Sequence, residues 1–254
     1  MQVNLSAVII TFNEEKNIER CILSIKDIVD EILVLDSFST DDTQSICKKY
    51  GVRFIQHAFD GHIEQKSRAK TLAANEHILS LDADEALDEE LKKSILEVKS
   101  NWQNDVYKMN RLTNYCGQWI HHSGWYPDTK IRLFDRKKGE WGGTNPHDKF
   151  IPHQGASISH LKGDILHYSY YNRGEHLKQI ESFSSIGAQA LFNKGKKSNW
   201  LKIVIKPLAR FIKAYILHLG FLDGAAGFTI SRLSAYANYL KYVKLKKLQA
   251  GKSF

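Results

Sequence analysis

The first hundred residues alternate between short apolar runs and polar stretches with helical spacing. Residues 3–10 are a near-continuous run of β-type side chains, and shorter runs follow at 32–35, 52–55 and 78–81. Between these runs, apolar residues recur every three or four positions, as on one face of a helix. Strands that alternate with helices predict right-handed crossovers and a mostly parallel sheet with helices on both faces. The predicted fold class is therefore α/β.

The pattern changes after the first hundred residues. Residues 105–150 are irregular and rich in aromatic side chains, and 130–134 alternate as a strand. We expect a mixed region that packs against the parallel half. From about Gly174 the pattern is helical, with breaks near Gly195, near Pro207 and at 220–227. A folded domain over 1–192 and a helical tail over 193–254 are predicted.

Charge is distributed unevenly along the chain. The net charge is +8, yet residues 193–254 hold 13 Lys or Arg and a single acid, Asp223. Charge alone permits nucleic-acid binding, but no supporting motif accompanies it, and no nucleic-acid partner is expected. Three cysteines without metal-ligand spacing favour reduced thiols in a cytoplasmic protein. The amino terminus lacks a basic region and a cleavage site, so a signal peptide is not expected.

Polar side chains follow three of the predicted strands directly. Asn13 and Glu14 come after the first, Asp36 after the second, and Asp82 and Asp84 after the fourth. In open parallel sheets, ligands bind beyond the carboxyl ends of the strands. These side chains are therefore expected to share one ligand-binding rim.

Asp82 and Asp84 form an Asp-x-Asp pair at the end of an apolar strand. Mg²⁺ and Mn²⁺ prefer oxygen ligands and are commonly held by one or two carboxylates and by substrate phosphates. A metal here would neutralise a departing diphosphate. The alternative is a solvated loop whose acids stabilise the first turn of the following helix.

Three ordered motifs together resemble the family 2 glycosyltransferases of the GT-A fold. They are residues 6–15 (SAVIITFNEE), 32–41 (ILVLDSFSTD) and 81–84 (LDAD). The resemblance implies a Rossmann-like GT-A domain, with a nucleotide-binding half over 1–100 and an acceptor-binding half over 101–192. One departure stands at Ser37 and Phe38, where many members read Asp-Gly after the first Asp.

The resemblance also implies roles for individual residues. Asp82 would lie near the ribose and the metal, Asp84 would be the main metal ligand, and Lys66 or Arg68 would meet nucleotide or phosphate. The alternative for Lys66 and Arg68 is a solvated basic helix face. The residues expected to hold the base and ribose of a nucleotide, usually uridine, are Thr11, Phe12, Asn13, Glu14 and Asp36.

Residues 141–150 and 163–170 resemble one branch of the family, the lipopolysaccharide core glucosyltransferases. Inversion at the anomeric carbon requires a base that deprotonates the acceptor hydroxyl. The resemblance makes Asp148 the expected base, with His147 assisting its orientation, and His167 a further ligand for Mn²⁺ or Mg²⁺. Alternatives are an ordinary loop aspartate, with Glu140 and Glu175 as the other local acids, and a structural role for His167.

The tail carries apolar and basic residues on separate helical faces. Apolar side chains recur between Trp200 and Leu219, and Pro207 is expected to divide the stretch into two segments. Charges interrupt any apolar span of about 20 residues, so no bilayer crossing is predicted. The tail could lie on an anionic membrane surface or pack on the catalytic domain, because both give the same pattern.

Together the motifs imply an inverting transferase that moves a hexose, expected to be glucose, from a UDP-sugar onto a glycolipid. The resemblance suggests inner-core heptose as acceptor, on the inner face of the cytoplasmic membrane of a Gram-negative bacterium. Two alternatives are a sugar-1-phosphate nucleotidyltransferase and a non-catalytic scaffold of the same fold. The first usually has a Gly-rich loop after its first strand, where this chain has residues 11–14.

Overall fold

A computed structural model describes residues 2–145 and 147–252, and for His147 the backbone only. The strands in this part of the chain are β1 (Leu5–Thr11), β2 (Glu31–Asp36), β3 (Arg53–Gln56), β4 (His77–Asp82), β5 (Glu85–Leu87), β6 (Val106–Tyr115), β7 (Gln118–Ile120), β8 (Asp128–Asp135), β9 (Gly139–Thr144), β10 (His147–Pro152) and β11 (Ile158–Tyr170). The α-helices are α1 (Ile18–Ile25), α2 (Thr43–Lys49), α3 (His62–Leu72), α4 (Glu89–Ser100), α5 (Arg173–Asn193), α6 (Trp200–Ile212) and α7 (Gly224–Gln249).

The strands form a mixed sheet whose first half is parallel. The order is β3-β2-β1-β4-β8-β6-β11-β5, with β7 beside β6, and β9 and β10 form a separate hairpin. β1 pairs in parallel with β2 and β4, and β2 with β3. β8 joins β4 in antiparallel orientation, so the irregular region after residue 100 extends the same sheet. The α/β class predicted from the pattern is confirmed.

Successive residues of β1 pack on opposite faces of the sheet. Ala7 and Ile9 contact one core with α1, α2 and α4, whereas Val8 contacts a second core with α3, Trp141 and Phe150. This two-residue alternation is a property of β-strands. Burial of each large apolar side chain contributes about 1.5–3 kcal/mol, so both layers stabilise the sheet. Helices on both faces were expected and are present.

The chain divides into two compact units. An N-terminal unit comprises the chain up to Arg111 and Asp128–Tyr168, and a C-terminal unit comprises Leu112–Pro127 and the chain from Ser169 onward. The division falls inside β6 and β11, and α5 belongs with the later helices. The functional boundary at residue 193 stays a prediction.

Within the C-terminal unit, α5 and α6 both pack against α7. Lys244 of α7 is buried and donates to Glu181 and to the hydroxyls of Ser184 and Ser185, at 2.9 and 2.8 Å from the two hydroxyls. A buried ammonium needs such partners to offset the loss of its hydration. This contact joins α5 to α7.

Pro207 does not divide the tail, which corrects the expectation from sequence. α6 runs from Trp200 to Ile212 with Pro207 inside it, and a π-helical turn follows at Lys213–Leu217. A proline removes one helical N–H donor. Because α6 packs along α7, the packing offsets the lost hydrogen bond and the helix continues. A 3-10 turn, Gly220–Asp223, then leads into α7.

No helix within residues 2–145 and 147–252 has the length and apolar content that a bilayer crossing requires.

Candidate active site

The carboxyl ends of β1, β2 and β4 meet at one edge of the N-terminal unit. Thr11 is in register with Asp36, and the adjacent Ile10 is in register with Asp82. Because these pairs are parallel, the loops that follow the three strands leave the sheet on the same side. The strand order thus brings the predicted rim residues together.

Hydrogen bonds hold the loops after β1 and β2 side by side. The backbone N–H of Asn13 donates to Ser39 Oγ at 2.8 Å, and the N–H of Thr40 donates to Asn13 Oδ1 at 2.8 Å. The N–H of Glu14 donates to Thr43 Oγ1, also at 2.8 Å. Asn13 has φ of 54°, a left-handed conformation that asparagine tolerates better than most residues. The two loops form one connected surface.

Asp36 and Thr11 are buried at the base of this surface. The Asp36 carboxylate accepts hydrogen bonds from the backbone N–H and hydroxyl of Ser39 and from Gln56 Nε2 at 3.1 Å. Thr11 is 6% exposed, and its Oγ1 has no hydrogen-bond partner among the residues that the structure describes. A buried hydroxyl without a partner is costly, and a bound ligand would satisfy it.

Lys66 of α3 joins two of the predicted site carboxylates. Its side chain is 3% exposed, and Nζ lies 2.9 Å from Asp82 Oδ1 and 2.7 Å from Asp148 Oδ2. The ammonium also lies over the ring of Trp141, 4.9 Å from its centroid. Asp148 reaches this point from β10, whose backbone pairs with β9. The cation therefore fixes both carboxylates in one cluster.

Arg132 of β8 holds the other side of Asp82. Its Nη2 lies 2.6 Å from Asp82 Oδ2 and 3.0 Å from Glu85 Oε1. Burial would raise the pKa of Asp82, but Arg132 and Lys66 outweigh it and hold that pKa well below its ordinary value. Arg111 of β6 continues the network at 3.2 Å from Glu85 and 2.7 Å from Asp128.

Sequence reasoning did not identify Arg132, Glu85, Arg111 and Asp128 as part of the site. The one available signal was Arg132, which lies between apolar neighbours in the middle of the strand predicted over residues 130–134. A charged residue at such a position is buried only when it is paired. The pattern gave no partner, because β8 joins β4 from 50 residues away in the chain.

Arg68 does not join the Lys66 cluster. Its Nη2 pairs with Asp60 at 2.9 Å, and its Nη1 donates to Gln65 Oε1 at 3.1 Å. Residues two apart on a helix point about 200° from each other, so Lys66 and Arg68 cannot face the same point. Its predicted contact with nucleotide stays a prediction.

Asp84 and His167 lie together at the end of β4. His167 Nε2 is 3.2 Å from Asp84 Oδ2, and β11 carries His167 opposite Glu85 of β5. The N–H of Tyr168 donates to the carbonyl of Asp84 at 2.9 Å, which joins β11 to the turn between β4 and β5. The structure thus brings together two of the three predicted metal ligands, and holds Asp82 nearby between two cations.

The carboxyl group of Glu14 is partly buried and lies near other carboxylates of this rim. Burial is the main reason that the pKa of Glu14 rises from 4.5 to about 7, outweighing a hydrogen bond from Asn17 that lowers it. The carboxylates of Asp84, Asp41 and Asp82 raise it further. A cation bound at the rim would relieve this repulsion.

The donor set fits a divalent cation held in part by substrate. Among the described residues, no three His, Cys, Asp or Glu side chains come together as a metal-binding group. Mg²⁺ and Mn²⁺ are commonly bound by one or two protein carboxylates and by phosphate oxygens, so a two-residue group with excess negative charge suits them. The side chain of His147 lies outside the described residues, and its predicted role stays a prediction.

The family model described as Glycosyl transferase family 2 matches residues 6–195, and the chain belongs to that family. A glycosyltransferase of Rickettsia typhi is 32% identical over 254 residues, covering 96% of this chain and 87% of the relative. The lipopolysaccharide core biosynthesis glycosyltransferase LpsC of Rhizobium meliloti is 25% identical over 256 residues, covering 98% and 94%. The protein is thus a glycosyltransferase, and the nucleotidyltransferase hypothesis is set aside.

A solved structure has the same fold. Glucosyl-3-phosphoglycerate synthase from Mycobacterium tuberculosis, crystallised in complex with phosphoglyceric acid, aligns with a TM-score of 0.50 at 18% identity, covering 78% of this chain and 82% of the synthase. The GT-A fold expected from the sequence motifs is confirmed.

Proposed function

We propose that this glycosyltransferase moves a hexose, glucose in the first instance, from a UDP-sugar onto a lipopolysaccharide inner-core heptose or a related glycolipid, with inversion at the anomeric carbon. The observation that carries the proposal is the cluster in which Lys66 holds Asp82 and Asp148 at the same rim as Asp84. The groups proposed to meet nucleotide, metal and acceptor would then lie together at this rim.

The donor nucleotide would bind the loops after β1 and β2. The base and ribose would meet residues 11–14 and Asp36, where the buried Thr11 hydroxyl lacks a partner among the described residues. Asp82, already neutralised by Lys66 and Arg132, suits a hydrogen bond to ribose better than direct metal ligation. Uridine is the usual nucleotide of the family.

Asp84 and His167 would hold the divalent cation, with Asp82 as the third predicted ligand. When bound, the cation would offset the negative charge that develops on the departing diphosphate. The pKa of Glu14 is raised to about 7 mainly by burial, and the carboxylates of Asp84, Asp41 and Asp82 raise it further; this negative charge supports a cation here. The protein itself keeps the Asp84 carboxylate beside the His167 ring, where both could bind the cation.

Asp148 would act as the base. Lys66 binds Asp148 Oδ2, which fixes the carboxylate and points to Oδ1 as the atom that receives the proton. As the acceptor oxygen bonds to the anomeric carbon, the bond from that carbon to the diphosphate oxygen breaks and UDP leaves. The hydroxyl proton passes to Asp148, so atoms and charge balance.

The acceptor class rests on the LpsC relative, which matches nearly the whole chain and is named for lipopolysaccharide core biosynthesis. Lipid-linked acceptors are found at membranes, and α6 suits such a surface. None of its thirteen residues is buried, and it exposes a row of apolar side chains beside lysines: Leu201, Val204, Ile205, Leu208 and Ile212.

We propose a peripheral position on the cytoplasmic face of the membrane, and the exposed apolar row of α6 supports the membrane contact. An amphipathic helix inserts its apolar side among lipid headgroups while its lysines meet anionic lipids. Lys202, Lys206 and Lys213 adjoin the apolar row of α6, and the tail from residue 193 has one acid. UDP-sugars and the acceptor headgroup would then meet at the same surface.

The test is UDP release by purified protein with a panel of UDP-sugars and Mn²⁺ or Mg²⁺, with and without lipopolysaccharide-core acceptor. We expect one donor to support acceptor-stimulated release. Asp148→Asn should lower kcat by about a hundredfold or more, as loss of a general base does, and Asp84→Ala should lower it comparably because the cation that offsets charge on the departing diphosphate would be lost. The matched control is Asp105→Asn. Asp105 pairs with Lys138 near the start of β6, and this variant should keep full activity.

Two results would count against the proposal. If the wild-type protein released no UDP and bound no UDP in calorimetry, the non-catalytic scaffold would be the better hypothesis. If Asp148→Asn were as active as the wild type while Glu140→Gln or Glu175→Gln were inactive, the base would be one of those other acids.

A further inference from the structure

Two phenylalanines are exposed in the loops after β1 and β2. Phe12 is 56% exposed and Phe38 is 54% exposed. Single exposed apolar residues are ordinary on a protein surface. Two exposed aromatic rings in adjoining loops at a ligand-binding edge are not explained in this way.

Hydrogen bonds on both sides fix these two positions opposite each other. On one side the N–H of Ser37 donates to the carbonyl of Thr11 at 2.9 Å, and on the other the N–H of Asn13 donates to Ser39 Oγ at 2.8 Å. Residue 12 lies between the bonded residues of the first loop, and residue 38 between those of the second. These bonds hold the backbones of the two loops together at residues 12 and 38.

The backbone of Phe38 is in a conformation that favours glycine. Its φ is 62°, in the left-handed region, where a Cβ crowds the following carbonyl. Many family members have glycine at this position, as the Asp-Asp-Gly-Ser pattern indicates. Neither burial nor backbone preference explains a phenylalanine here, and such strained residues concentrate at ligand-binding sites.

Buried polar groups lie at the base of the same loops. Thr11 Oγ1 has no hydrogen-bond partner in the part of the chain that the structure describes, and Asp36, in register with Thr11, is fully buried. A planar heteroaromatic ligand has an edge that forms hydrogen bonds and two apolar faces. A nucleobase is such a ligand, and aromatic rings bind its faces by stacking.

We propose that Phe38 is a nucleobase-stacking residue, and that its ring and that of Phe12 pack against the base of the donor nucleotide. This inference rests on the proposed donor site and adds to it a residue that the family pattern does not contain. The side chain raises donor affinity without touching the reacting atoms. The glycine of other members would leave that face of the base to solvent.

The test measures binding of UDP and of inorganic pyrophosphate to the full-length protein by calorimetry in the presence of Mn²⁺. Phe38→Leu and Phe38→Gly should raise the Kd for UDP about tenfold, the usual loss for one base-aromatic contact, whereas Phe38→Tyr should stay within about twofold. Pyrophosphate has no base, so its Kd should be the same for all variants. In the transferase assay the donor KM should rise while kcat is unchanged.

The control is Phe183→Leu, an exposed phenylalanine on α5, which should bind UDP as the wild type does. The inference is overturned if Phe38→Leu keeps wild-type affinity, if Phe38→Tyr loses as much as Phe38→Leu, or if pyrophosphate binding falls in parallel. A wild-type protein that bound no UDP would instead contradict the proposed function. Thermal unfolding of each variant separates lost binding from lost folding.

Discussion

Lys66 has a structural role, because it pairs with two carboxylates of the candidate site. Burying the Lys66 ammonium group away from solvent costs several kcal/mol, and its two carboxylate partners offset that cost. The same contacts keep Asp82 and Asp148 from repelling each other. A residue with two anionic partners is therefore a point where stability and catalysis are both sensitive.

Lys66→Met should lower the free energy of unfolding by about 3–5 kcal/mol, because it removes the cation that pairs with Asp148 and leaves Asp82 with Arg132 alone. Urea denaturation followed by circular dichroism measures this. Lys49→Met is the matched control, since Lys49 pairs with Glu19 on the surface, and it should change stability by less than about 1 kcal/mol. Equal losses in the two variants would contradict the prediction.

Glu14→Gln should stabilise the protein more in alkaline than in acidic solution. The folded pKa of Glu14 is raised from 4.5 to about 7, so the folded state binds this proton more tightly than the unfolded state. Its contribution to stability is therefore present below 4.5 and is lost as pH rises to about 7. The Tm of Glu14→Gln relative to wild type should be higher at about pH 8 than at about pH 5.

The control for the Glu14→Gln comparison is Glu15→Gln. The backbone N–H of Glu15 donates to Asp41. A Tm difference for Glu14→Gln that did not change with pH would contradict the raised pKa of Glu14. Repeating the comparison with Mn²⁺ should reduce the difference, because a bound cation favours the ionised carboxylates.

Phe38→Gly should raise stability while it weakens donor binding. Left-handed backbone costs a non-glycine residue about 1–2 kcal/mol, and the greater freedom of glycine in the unfolded chain removes part of the gain. We expect a net increase of about 1 kcal/mol in the free energy of unfolding, measured by urea denaturation. A decrease would mean that the phenylalanine ring stabilises the loop through contacts of its own.

At the scale of elements, α6 is unusual because a thirteen-residue helix has no buried residue, although it packs along α7. Exposed apolar rows of this size are uncommon on monomeric proteins and mark interaction surfaces. Helix α4 offers a contrast, since Leu91 and Ile95 are buried and only Leu96 of its large apolar residues is exposed.

Leu208→Ser and Ile212→Ser should each weaken binding to vesicles that contain anionic lipid by about tenfold, since each removes about 1.5–3 kcal/mol of apolar burial in the interface. Co-sedimentation with vesicles of phosphatidylcholine and phosphatidylglycerol measures this. Leu96→Ser on α4 is the control and should bind as the wild type does. Tight binding to neutral vesicles alone would contradict the role of the lysines.

At the scale of the whole molecule, the sequence predicted the parallel half and its rim because both are local features. An apolar run that ends in polar residues places those residues at a strand end, and parallel pairing brings the ends together. Thus Asn13, Glu14, Asp36, Asp82 and Asp84 could be assigned to one edge. The helices on both faces followed from the same alternation.

The remaining features depend on contacts between distant parts of the chain. Arg132 reaches Asp82 only because β8 pairs with β4 in antiparallel register, which no spacing reveals. Helix α6 continues through Pro207 because of packing against α7, which overrides the local preference. Lys66 could be named as a candidate, but its bridge between Asp82 and Asp148 required the position of β10.

The ion pairs of the N-terminal unit link seven side chains of alternating sign into one chain, in the order Asp148, Lys66, Asp82, Arg132, Glu85, Arg111 and Asp128. Losing one member leaves a neighbour with an unbalanced charge, whereas losing two adjacent members together removes both charges. Over generations these positions should therefore change in pairs. Relatives that lack Lys66 should differ at Asp82 or Asp148 as well, so the order of permitted substitutions is constrained by electrostatics.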